Sequence, residues 1–324
     1  MGRRIFLCMD IGGTKLSCAL VSDNGEILGK GRKPTPYEQG ASGTIPILED
    51  MGRSLIDLAR SIGEGVEAIG ISFGGPVDYK RGRVLRSHHA TGWEGFELTA
   101  MLERAFGLPA FMDNDANAAA LGESLFGAGK GYETVLFLNI GTGIGGGITI
   151  GGRLHRGGRG LAGEIGHTKV DPNGPICTCG KRGCVEAFAS GPSIARMARE
   201  ELEKGDKVSR MLEICGGDPR AITGEMVAKA ADDGDEIALS VIDRAMEYLA
   251  IGIANAMHLF DPDIVVIGGG VAKAGEIVFA PLREKVGKYL LSGFLERMPG
   301  IVPAALGDDA PLLGAMAIAK EGGR

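Results

Sequence analysis

Two segments of this chain of 324 residues share one design, in which an apolar strand ends at a glycine-rich turn and a second strand follows. Residues 5–21 hold the first copy, with its turn at 10–15, and residues 135–150 hold the second, with its turn at 141–147. Such self-similarity indicates a duplicated unit. Glycine-rich turns present backbone N–H groups to phosphate oxygens, so the pair predicts a nucleotide clamped between two similar halves. An ordinary hairpin is the alternative for the first turn taken alone.

Helical and strand patterns alternate along the chain, which favours an α/β fold. Residues 48–62 carry apolar side chains at helical spacing, and residues 68–73 form a candidate buried strand. A third glycine cluster, 268–270, follows the apolar run 264–267. Open α/β sheets bind ligands at the carboxyl ends of their strands, so this cluster is placed to lie against a nucleoside. It matches neither a Walker loop nor a dinucleotide fingerprint.

One histidine and three cysteines form a cluster of candidate metal ligands: His167, Cys177, Cys179 and Cys184. Three thiolates and one imidazole complete the tetrahedral shell of a structural zinc site and leave no position open for water. The spacing therefore predicts a closed zinc knuckle that shapes a loop. The remaining cysteines are scattered, as expected in a reducing compartment, and we place the chain in the cytoplasm.

Charge and hydropathy argue against several classes of partner. A net charge of -6, with both signs mixed along the chain, argues against nucleic acid or an anionic membrane. The longest apolar runs are far too short to span a bilayer. An acid at Asp10 interrupts the first apolar run, so we expect no secretory signal. The length of the chain predicts two domains.

Polar residues accumulate where a short apolar strand, 108–112, gives way to an alanine-rich helix. An Asn or Asp at such a junction commonly caps the N-terminus of the helix, which explains one of these residues. It does not explain Asn114, Asp115 and Asn117 together. The surplus marks the junction as a candidate site.

Taken together, these motifs resemble the ROK family of sugar kinases. The motifs of that family occur in order along essentially the whole chain, at 10–15, 74–78, 113–123, 141–147, 164–191 and 268–272. The most specific match is the run 163–167 followed by the three clustered cysteines. The resemblance implies an α/β architecture of two duplicated ribonuclease-H-like (actin-like ATPase) domains, with a cleft between them and a structural zinc site.

The resemblance also implies domain boundaries. A smaller α/β domain would comprise residues 1–115 and 309–324, with the first phosphate motif and the catalytic aspartate at its edge. A larger α/β domain, residues 116–308, would carry the second phosphate motif, the zinc and sugar motif and the adenosine motif.

Catalysis is assigned by the resemblance to Asp115. This residue would be the general base that takes the proton from the sugar hydroxyl attacking the γ-phosphate, a role that kinases commonly give to an Asp. The sugar would be bound by Gly75, His89, Asn114, Asp115, Glu164, His167 and Glu186. His167 would bind zinc through one ring nitrogen and reach the sugar through the other.

The same resemblance implies which residues bind the nucleotide. The matching residues are Asp10, Gly12, Gly13, Thr14, Lys15, Thr142, Gly143, Gly269 and Gly270. The implied cofactors are ATP, Mg2+ held by Asp10, and structural Zn2+. We expect a homo-oligomer, either a dimer or a tetramer.

One position departs from the family pattern. Sugar kinases of the family usually carry an Asn four residues before the loop tryptophan, whereas this chain has His89 before Trp93. A histidine ring cannot donate and accept hydrogen bonds from adjacent atoms as an amide does. Either His89 is a surface-loop residue without a ligand role, or the preferred hexose is not glucose.

Two classes of function are consistent with the resemblance. The first is ATP-dependent phosphorylation of the 6-hydroxyl of a hexose, with glucose ahead of N-acetylmannosamine, N-acetylglucosamine and fructose. The second is a sugar-responsive transcriptional repressor, since the family includes such proteins. Repressors of the family carry a DNA-binding domain before the first glycine cluster, whereas here that cluster begins at residue 10. Repressors also commonly lose the nucleotide motif, whereas here the motif 10–15 is intact. We therefore expect an enzyme.

Overall fold

The computed structural model of the chain describes residues 3–86, 91–204 and 208–322. The chain divides into two compact units. The first unit comprises Met1–Gly131, Gly147–Ala162 and Ala305–Arg324, and the second unit comprises Tyr132–Gly146 and Gly163–Ala304. The domain boundaries expected near residues 115 and 308 stay a prediction.

Strands and helices alternate through the described residues. The strands are β1 Ile5–Ile11, β2 Lys15–Ser22, β3 Ile27–Pro34, β4 Val66–Phe73, β5 Val77–Asp78, β6 Arg83–Val84, β7 Ala110–Asn114, β8 Thr134–Ile140, β9 Ile144–Ile150, β10 Arg153–Leu154, β11 Ile264–Gly268 and β12 Gly300–Pro303. The α-helices are α1 Gly40–Ser61, α2 Leu98–Phe106, α3 Asp115–Phe126, α4 Glu186–Ala189, α5 Gly191–Leu202, α6 Arg210–Ile214, α7 Gly224–Asp232, α8 Glu236–Phe260, α9 Glu276–Tyr289, α10 Ser292–Leu295 and α11 Ala310–Lys320. The α/β fold class predicted from the sequence is confirmed.

A five-stranded sheet with the order β3-β2-β1-β4-β7 forms the centre of the first unit. β1 and β2 form an antiparallel hairpin, whereas β1, β4 and β7 run parallel. Parallel strands end at the same edge of a sheet, and here Asp10, Ser72 and Asp113 are in register across three neighbouring strands. This edge therefore gathers the first glycine turn and the polar junction before α3.

Both faces of this sheet are covered, which explains why every residue of β1 is buried. Leu7 and Met9 pack in one cluster with Leu48 of α1. Phe6 belongs to a second cluster with Met316 of α11. Because neighbouring residues of a strand point to opposite faces, an unbroken apolar run is the pattern that such a two-sided strand needs.

α3 and α11 pack closely because glycine replaces a side chain at two points of contact. A Cβ added to Gly314 would lie 1.7 Å from the backbone oxygen of Ala118, and a Cβ added to Gly122 would lie 2.2 Å from that of Ala310. Since Asp115 is the first residue of α3, this contact fixes the helix that carries the predicted base.

The far end of α3 is held by a buried carboxylate. Glu123 is fully buried, and its oxygens accept hydrogen bonds from the backbone N–H groups of Ala128, Ala305 and Leu306. A carboxylate removed from water must be satisfied by donors of this kind. Glu123 therefore connects α3 to the segment that leads into α11.

The second sheet has the order β10-β9-β8-β11-β12, and β8, β11 and β12 run parallel. The second glycine turn joins β8 to β9, and the N–H of Gly141 donates to the oxygen of Gly143 at 2.9 Å. In the first turn, the N–H of Gly12 donates to the oxygen of Lys15 at 3.1 Å. The predicted strand-turn-strand pattern is thus confirmed at both places. Among the described residues, no helix has the length and apolar character needed to cross a membrane.

Gly314→Ala should destabilise the first unit. The added methyl group would meet the Ala118 carbonyl, so the two helices must separate, which we expect to lower the free energy of unfolding by about 2 kcal/mol. Urea denaturation followed by circular dichroism measures this change. Gly65→Ala is the matched control, because no atom lies within 4 Å of the added group. Equal stability of the two variants would contradict the close helix contact.

Candidate functional site

The first glycine turn is held from both sides by Thr35. The Thr35 hydroxyl donates to the oxygen of Gly12 at 2.8 Å, and the Thr35 N–H donates to the oxygen of Thr14 at 3.1 Å. A Cβ at Gly12 would lie 3.2 Å from the Lys15 oxygen, so the turn favours glycine there. The sequence pattern did not indicate Thr35, because the residue lies beyond β2 and β3. The result is a preformed turn of the kind that receives phosphate oxygens.

Asp10 lies at the end of β1, immediately before this turn, and only 6% of it is exposed. The hydroxyl of Ser72 donates to its Oδ1 at 2.7 Å. Burial raises the pKa of Asp10 to about 6, although Ser72 and the charge of Lys15 act in the opposite direction. A carboxylate is the ligand type that Mg2+ prefers, so Asp10 fits a magnesium role by its chemistry.

Lys15 has a carboxylate partner that the sequence analysis missed. Its ammonium nitrogen lies 2.7 Å from Oδ1 of Asp308, and the guanidinium of Arg32 lies 2.8 Å from Oδ2 of the same residue. The hydrogen bond from Lys15, together with that from Arg32, lowers the pKa of Asp308 to about 2. Asp308 therefore orients the ammonium group of Lys15, the cation of the first turn. The separation of the three residues in sequence explains why no local motif revealed the contact.

The junction between β7 and α3 is organised by its own polar side chains. Asn114 is the N-cap of α3, and its Oδ1 accepts from the N–H of Asn117 at 2.7 Å. Oδ1 of Asp115 accepts from the N–H of Ala116 at 3.0 Å. The capping role expected for one residue of this group thus belongs to Asn114.

Gly74 and Gly75 lie beside this junction in the first unit. A Cβ at Gly74 would be 3.8 Å from Oδ2 of Asp115. Gly75 has φ +152°, and a Cβ there would be 2.8 Å from the oxygen of Arg86. A side chain at Gly75 would therefore be strained, whereas one at Gly74 would make only ordinary contact with Asp115. His89, the other sugar-binding residue expected in this region, lies outside the described residues.

In the second unit, Glu186 lies beneath the second glycine turn. Its Oε2 accepts from the N–H of Ile144 at 2.9 Å, and a Cβ at Gly143 would approach the same oxygen to 2.7 Å. Its Oε1 accepts from the hydroxyl of Thr178 at 2.6 Å. Burial would raise the pKa of Glu186, but the bonds from Thr178 and Ile144 hold it below its ordinary value.

The sulfur of Cys177 also lies 3.2 Å from Oε1 of Glu186. A thiolate that binds zinc has no proton to donate, so the donors of Glu186 are the Ile144 N–H and the Thr178 hydroxyl. An ionised carboxylate offers about four lone-pair positions, so it retains room for one further donor such as a sugar hydroxyl. Glu164, in contrast, is exposed and precedes a short 3-10 helix, Ile165–His167.

The four predicted zinc ligands come together in the second unit. Their candidate ligand atoms all lie within 4.8 Å of one another. Sγ of Cys177 is 3.7 Å from Nδ1 of His167, and Sγ of Cys179 is 3.6 Å from Sγ of Cys184. Zinc bonded tetrahedrally at 2.3 Å places two sulfur atoms about 3.8 Å apart, so the donor set fits this metal in both chemistry and spacing.

A lysine lies next to this cluster. The ammonium group of Lys169 is 2.7 Å from Sγ of Cys184. A zinc ion with three thiolates and one neutral imidazole carries a net negative charge, so a cation at this position offsets it. The pKa of Cys179 is lowered, because hydrogen bonds that include the Lys181 backbone N–H outweigh the effect of burial.

A cavity of about 860 Å³ opens in the second unit beside the second glycine turn. Its lining includes Gly141, Thr142 and Gly270, together with apolar side chains of α5 and α8 such as Ile194 and Ile242. A concave and largely apolar pocket of this size suits a nucleoside. The contributions of α5 and α7 were not indicated by the glycine motifs.

The backbone at Gly269 explains why glycine follows β11. This residue has φ +88°, and a Cβ there would lie 2.3 Å from the oxygen of Ile140. Any larger residue would push β11 away from the end of β8. The predicted adenosine motif, Gly269 and Gly270, therefore lies at the end of β11, and Gly270 lines the cavity.

Some of the predicted site residues lie in the first unit and the others lie in the second unit. The first unit holds Asp10, Gly12, Gly13, Thr14, Lys15, Gly75, Asn114 and Asp115. The second unit holds Thr142, Gly143, Glu164, His167, Cys177, Cys179, Cys184, Glu186, Gly269 and Gly270. The four predicted metal ligands lie together in one cluster, while metal binding and the individual roles in binding and catalysis stay predictions.

The α/β fold, with a glycine turn at a strand end in each of its two five-stranded sheets, is consistent with sugar kinases of the actin-like ATPase class. The model of the ROK family matches residues 6–322. The chain therefore belongs to the ROK family, as its motifs predicted.

Three comparisons illustrate the range of similar proteins. A glucokinase of Thermotoga maritima is 41% identical over 315 residues, which cover 97% of this chain and 96% of the relative. An N-acetylmannosamine kinase of Shigella boydii is 38% identical over 269 residues, which cover 83% of this chain and 84% of the relative. The crystal structure of a ROK family glucokinase from Streptomyces griseus, in complex with glucose and AMPPNP, is similar with a TM-score of 0.82 and 36% identity. That match covers 98% of this chain and 99% of the other.

Asp10→Asn should stabilise the chain in a pH-dependent way. A carboxyl group whose pKa rises from 3.8 to about 6 on folding costs stability as the pH rises between these values. The variant should therefore match the wild type near pH 4 and exceed it by about 1–3 kcal/mol above pH 7. Urea titrations at several pH values measure the difference.

The control for this experiment is Asp57→Asn, which alters an exposed carboxylate on α1. It should give a small difference that does not grow with pH. If Asp10→Asn behaved in the same way, the buried and destabilising carboxylate would be ruled out.

Proposed function

We propose that the chain is a glucokinase, which transfers the γ-phosphoryl group of ATP to the 6-hydroxyl of glucose. The observation that carries this proposal is the 41% identity to the Thermotoga maritima glucokinase over 97% of the chain. The intact first turn and the Asp115 junction supply the parts that a kinase needs. The Streptomyces griseus relative carries glucose and a nucleotide analogue, which supports the same substrate pair.

Asp115 is the general base in this proposal. It accepts the proton of the 6-hydroxyl as the sugar oxygen bonds to the γ-phosphorus and the bond to the β-phosphate oxygen breaks, which yields glucose 6-phosphate and ADP. Phosphoryl transfer depends mostly on positioning and electrostatics, so placement of the base is the main task of the protein. Asn114, one residue before Asp115, is proposed to bind a neighbouring hydroxyl.

The first turn is proposed to hold the phosphates. Asp10 would hold Mg2+, which neutralises charge on the phosphate oxygens when it is bound. Lys15 would add a second positive charge, and its pairing with Asp308 keeps the ammonium group oriented before the nucleotide arrives. The cavity of the second unit, bordered by Thr142 and Gly270, would receive the nucleoside.

Zinc is proposed as a structural ion held by the Cys3His cluster. Within the second unit, it would orient His167 and stiffen the loop that ends at Glu186. The second ring nitrogen of His167 would then donate its N–H to the sugar, while Glu164 and Glu186 would present acceptors. The two duplicated domains would close over a cleft containing both substrates, which excludes water and limits ATP hydrolysis. A homo-oligomer in the cytoplasm completes the proposal.

A panel of sugars tests the function and its alternatives. Purified protein with MgATP should release ADP fastest with glucose, compared with N-acetylmannosamine, N-acetylglucosamine and fructose. A preference for N-acetylmannosamine would instead agree with the Shigella boydii relative and with the histidine at position 89. Release of ADP with none of these sugars would favour the repressor alternative. Analytical ultracentrifugation measures the oligomeric state.

Asp115→Asn should lower kcat by at least about 1,000-fold, because the amide cannot accept the hydroxyl proton. Glucose binding, measured by isothermal titration calorimetry, should persist, because the amide retains polar atoms for the sugar. Asp57→Asn removes an exposed carboxylate of the same unit and should leave kcat unchanged. A kcat of Asp115→Asn within tenfold of the wild-type value would remove Asp115 as the base.

Cys179→Ser should release the proposed zinc. The wild-type chain should contain about one zinc ion, and the loss of one thiolate should reduce this content strongly. Plasma mass spectrometry measures the metal, and glucose affinity should fall with it, because His167 loses its anchor. Cys215→Ser is the control, since Cys215 lies outside the cluster. Full zinc content in Cys179→Ser would contradict the assigned ligand set.

A further inference from the structure

Arg156, which follows β10, reaches the strand that leads to the catalytic junction. Its Nε lies 2.6 Å from Oδ2 of Asp113, and the side chains of the pair are only 9% and 3% exposed. No motif in the sequence connects these two residues. We propose that Arg156 is a positioning residue that fixes Asp115 through Asp113. The proposal rests on the kinase function proposed above.

Asp113 is fully occupied and is therefore unsuited to act as a base itself. Its Oδ1 accepts from the N–H of Asn114 and from Nδ2 of Asn117, each at 2.8 Å. Its Oδ2 accepts from Arg156. A buried carboxylate with three donors on fixed elements acts as a structural joint.

This joint governs the first turn of α3. The carboxylate of Asp113 accepts from the backbone N–H of Asn114, the residue before Asp115. It also accepts from the side-chain amide of Asn117, two residues after Asp115. Asn114 and Asn117 are also joined directly, through the N-cap bond. The direction of the Asp115 carboxylate consequently follows the position of Asp113.

Arg156 is itself held in place. Its guanidinium carbon lies 4.6 Å from the ring centroid of Tyr79, a cation–π distance, and its backbone oxygen accepts from the N–H of Ala162. A Cβ at Gly160 would come within 3.1 Å of the Tyr79 ring, so the same loop also packs on that ring. Tyr79 and the loop 156–162 thus hold the guanidinium group of Arg156 in place, and Arg156 in turn holds Asp113.

Loss of the cation would leave Asp113 charged, buried and without its ionic partner. Such a group relaxes towards water or other donors, and it draws Asn114 and Asn117 with it. Catalysis is sensitive to displacements of this kind, and a shift of about 1 Å at the reacting groups costs about 100-fold in rate. The nucleotide turn at 10–15 has no part in the joint.

The test compares Arg156→Met, Arg156→Lys and the double variant Asp113→Asn/Arg156→Met in the full-length chain. Arg156→Met should lower kcat about 100-fold and raise the glucose KM several-fold, with the MgATP KM nearly unchanged. Arg156→Lys keeps the charge and should recover at least about tenfold of the loss. The double variant should be no worse than Arg156→Met, because both residues act as one unit.

Arg153→Met, three residues earlier on β10, is the matched control, because Arg153 is exposed and lies outside the joint. It should retain wild-type kinetics. Hydrogen exchange followed by mass spectrometry gives a readout that does not depend on turnover. Amides at 114–117 should exchange faster in Arg156→Met than in Arg153→Met, whereas those of β1 should not change.

The proposal is overturned if folded Arg156→Met keeps kcat within about threefold of the wild type, or if the double variant has a kcat at least about tenfold below that of Arg156→Met. Unchanged exchange at 114–117 overturns it as well. A wild-type chain that phosphorylates no sugar would contradict the proposed function only. The exchange measurement would still decide whether Arg156 positions the junction.

Discussion

Buried carboxylates are the constraint on which this structure depends. Asp10, Asp113, Glu123 and Glu186 are all at least nine-tenths buried, although a charge removed from water is costly unless donors surround it. Asp113 and Glu123 each accept from three donors on fixed backbone or side-chain groups, and Glu186 accepts from two. These bonds hold the ends of β7, α3 and the second glycine turn in defined positions.

Asp10 differs from the other three carboxylates, because the structure gives it the hydroxyl of Ser72 and a raised pKa of about 6. A buried carboxylate with few hydrogen-bond donors in the protein is stabilised most by a ligand that supplies positive charge. Destabilised residues of this kind are typical of functional sites, where stability is lost in exchange for binding. The contrast between Asp10 and Asp113 therefore agrees with the proposed roles, in which Asp10 meets a ligand and Asp113 supports its neighbours.

Much of this arrangement could be predicted from the sequence, because it is local. The two strand-turn-strand segments, the zinc ligands and a cap before α3 are each encoded within about 20 residues, and periodicity and spacing reveal such patterns. The polar surplus at Asn114, Asp115 and Asn117 was also visible. Structure was needed to divide it into a cap, a predicted base and a partner of Asp113.

The remaining contacts could not be predicted, because they join residues far apart in the chain. Asp308 meets Lys15, Arg156 meets Asp113, and Glu123 meets the segment at 305–306. A charged residue in a loop has no periodic pattern, and single charges are most often solvated surface groups. The return of the chain through the segment before α11 brings Asp308 and residues 305–306 to their partners, and the loop after β10 brings Arg156 to Asp113.

We propose that the framework around Asp115 directs a phosphoryl group from ATP to one sugar hydroxyl. Phosphorus-31 NMR of the reaction of the wild-type chain with glucose and MgATP tests this most directly. We expect one new phosphomonoester, at the 6-position of glucose, formed in equal amount with ADP. Inorganic phosphate and ADP without a sugar phosphate, from a chain that binds glucose, would contradict it.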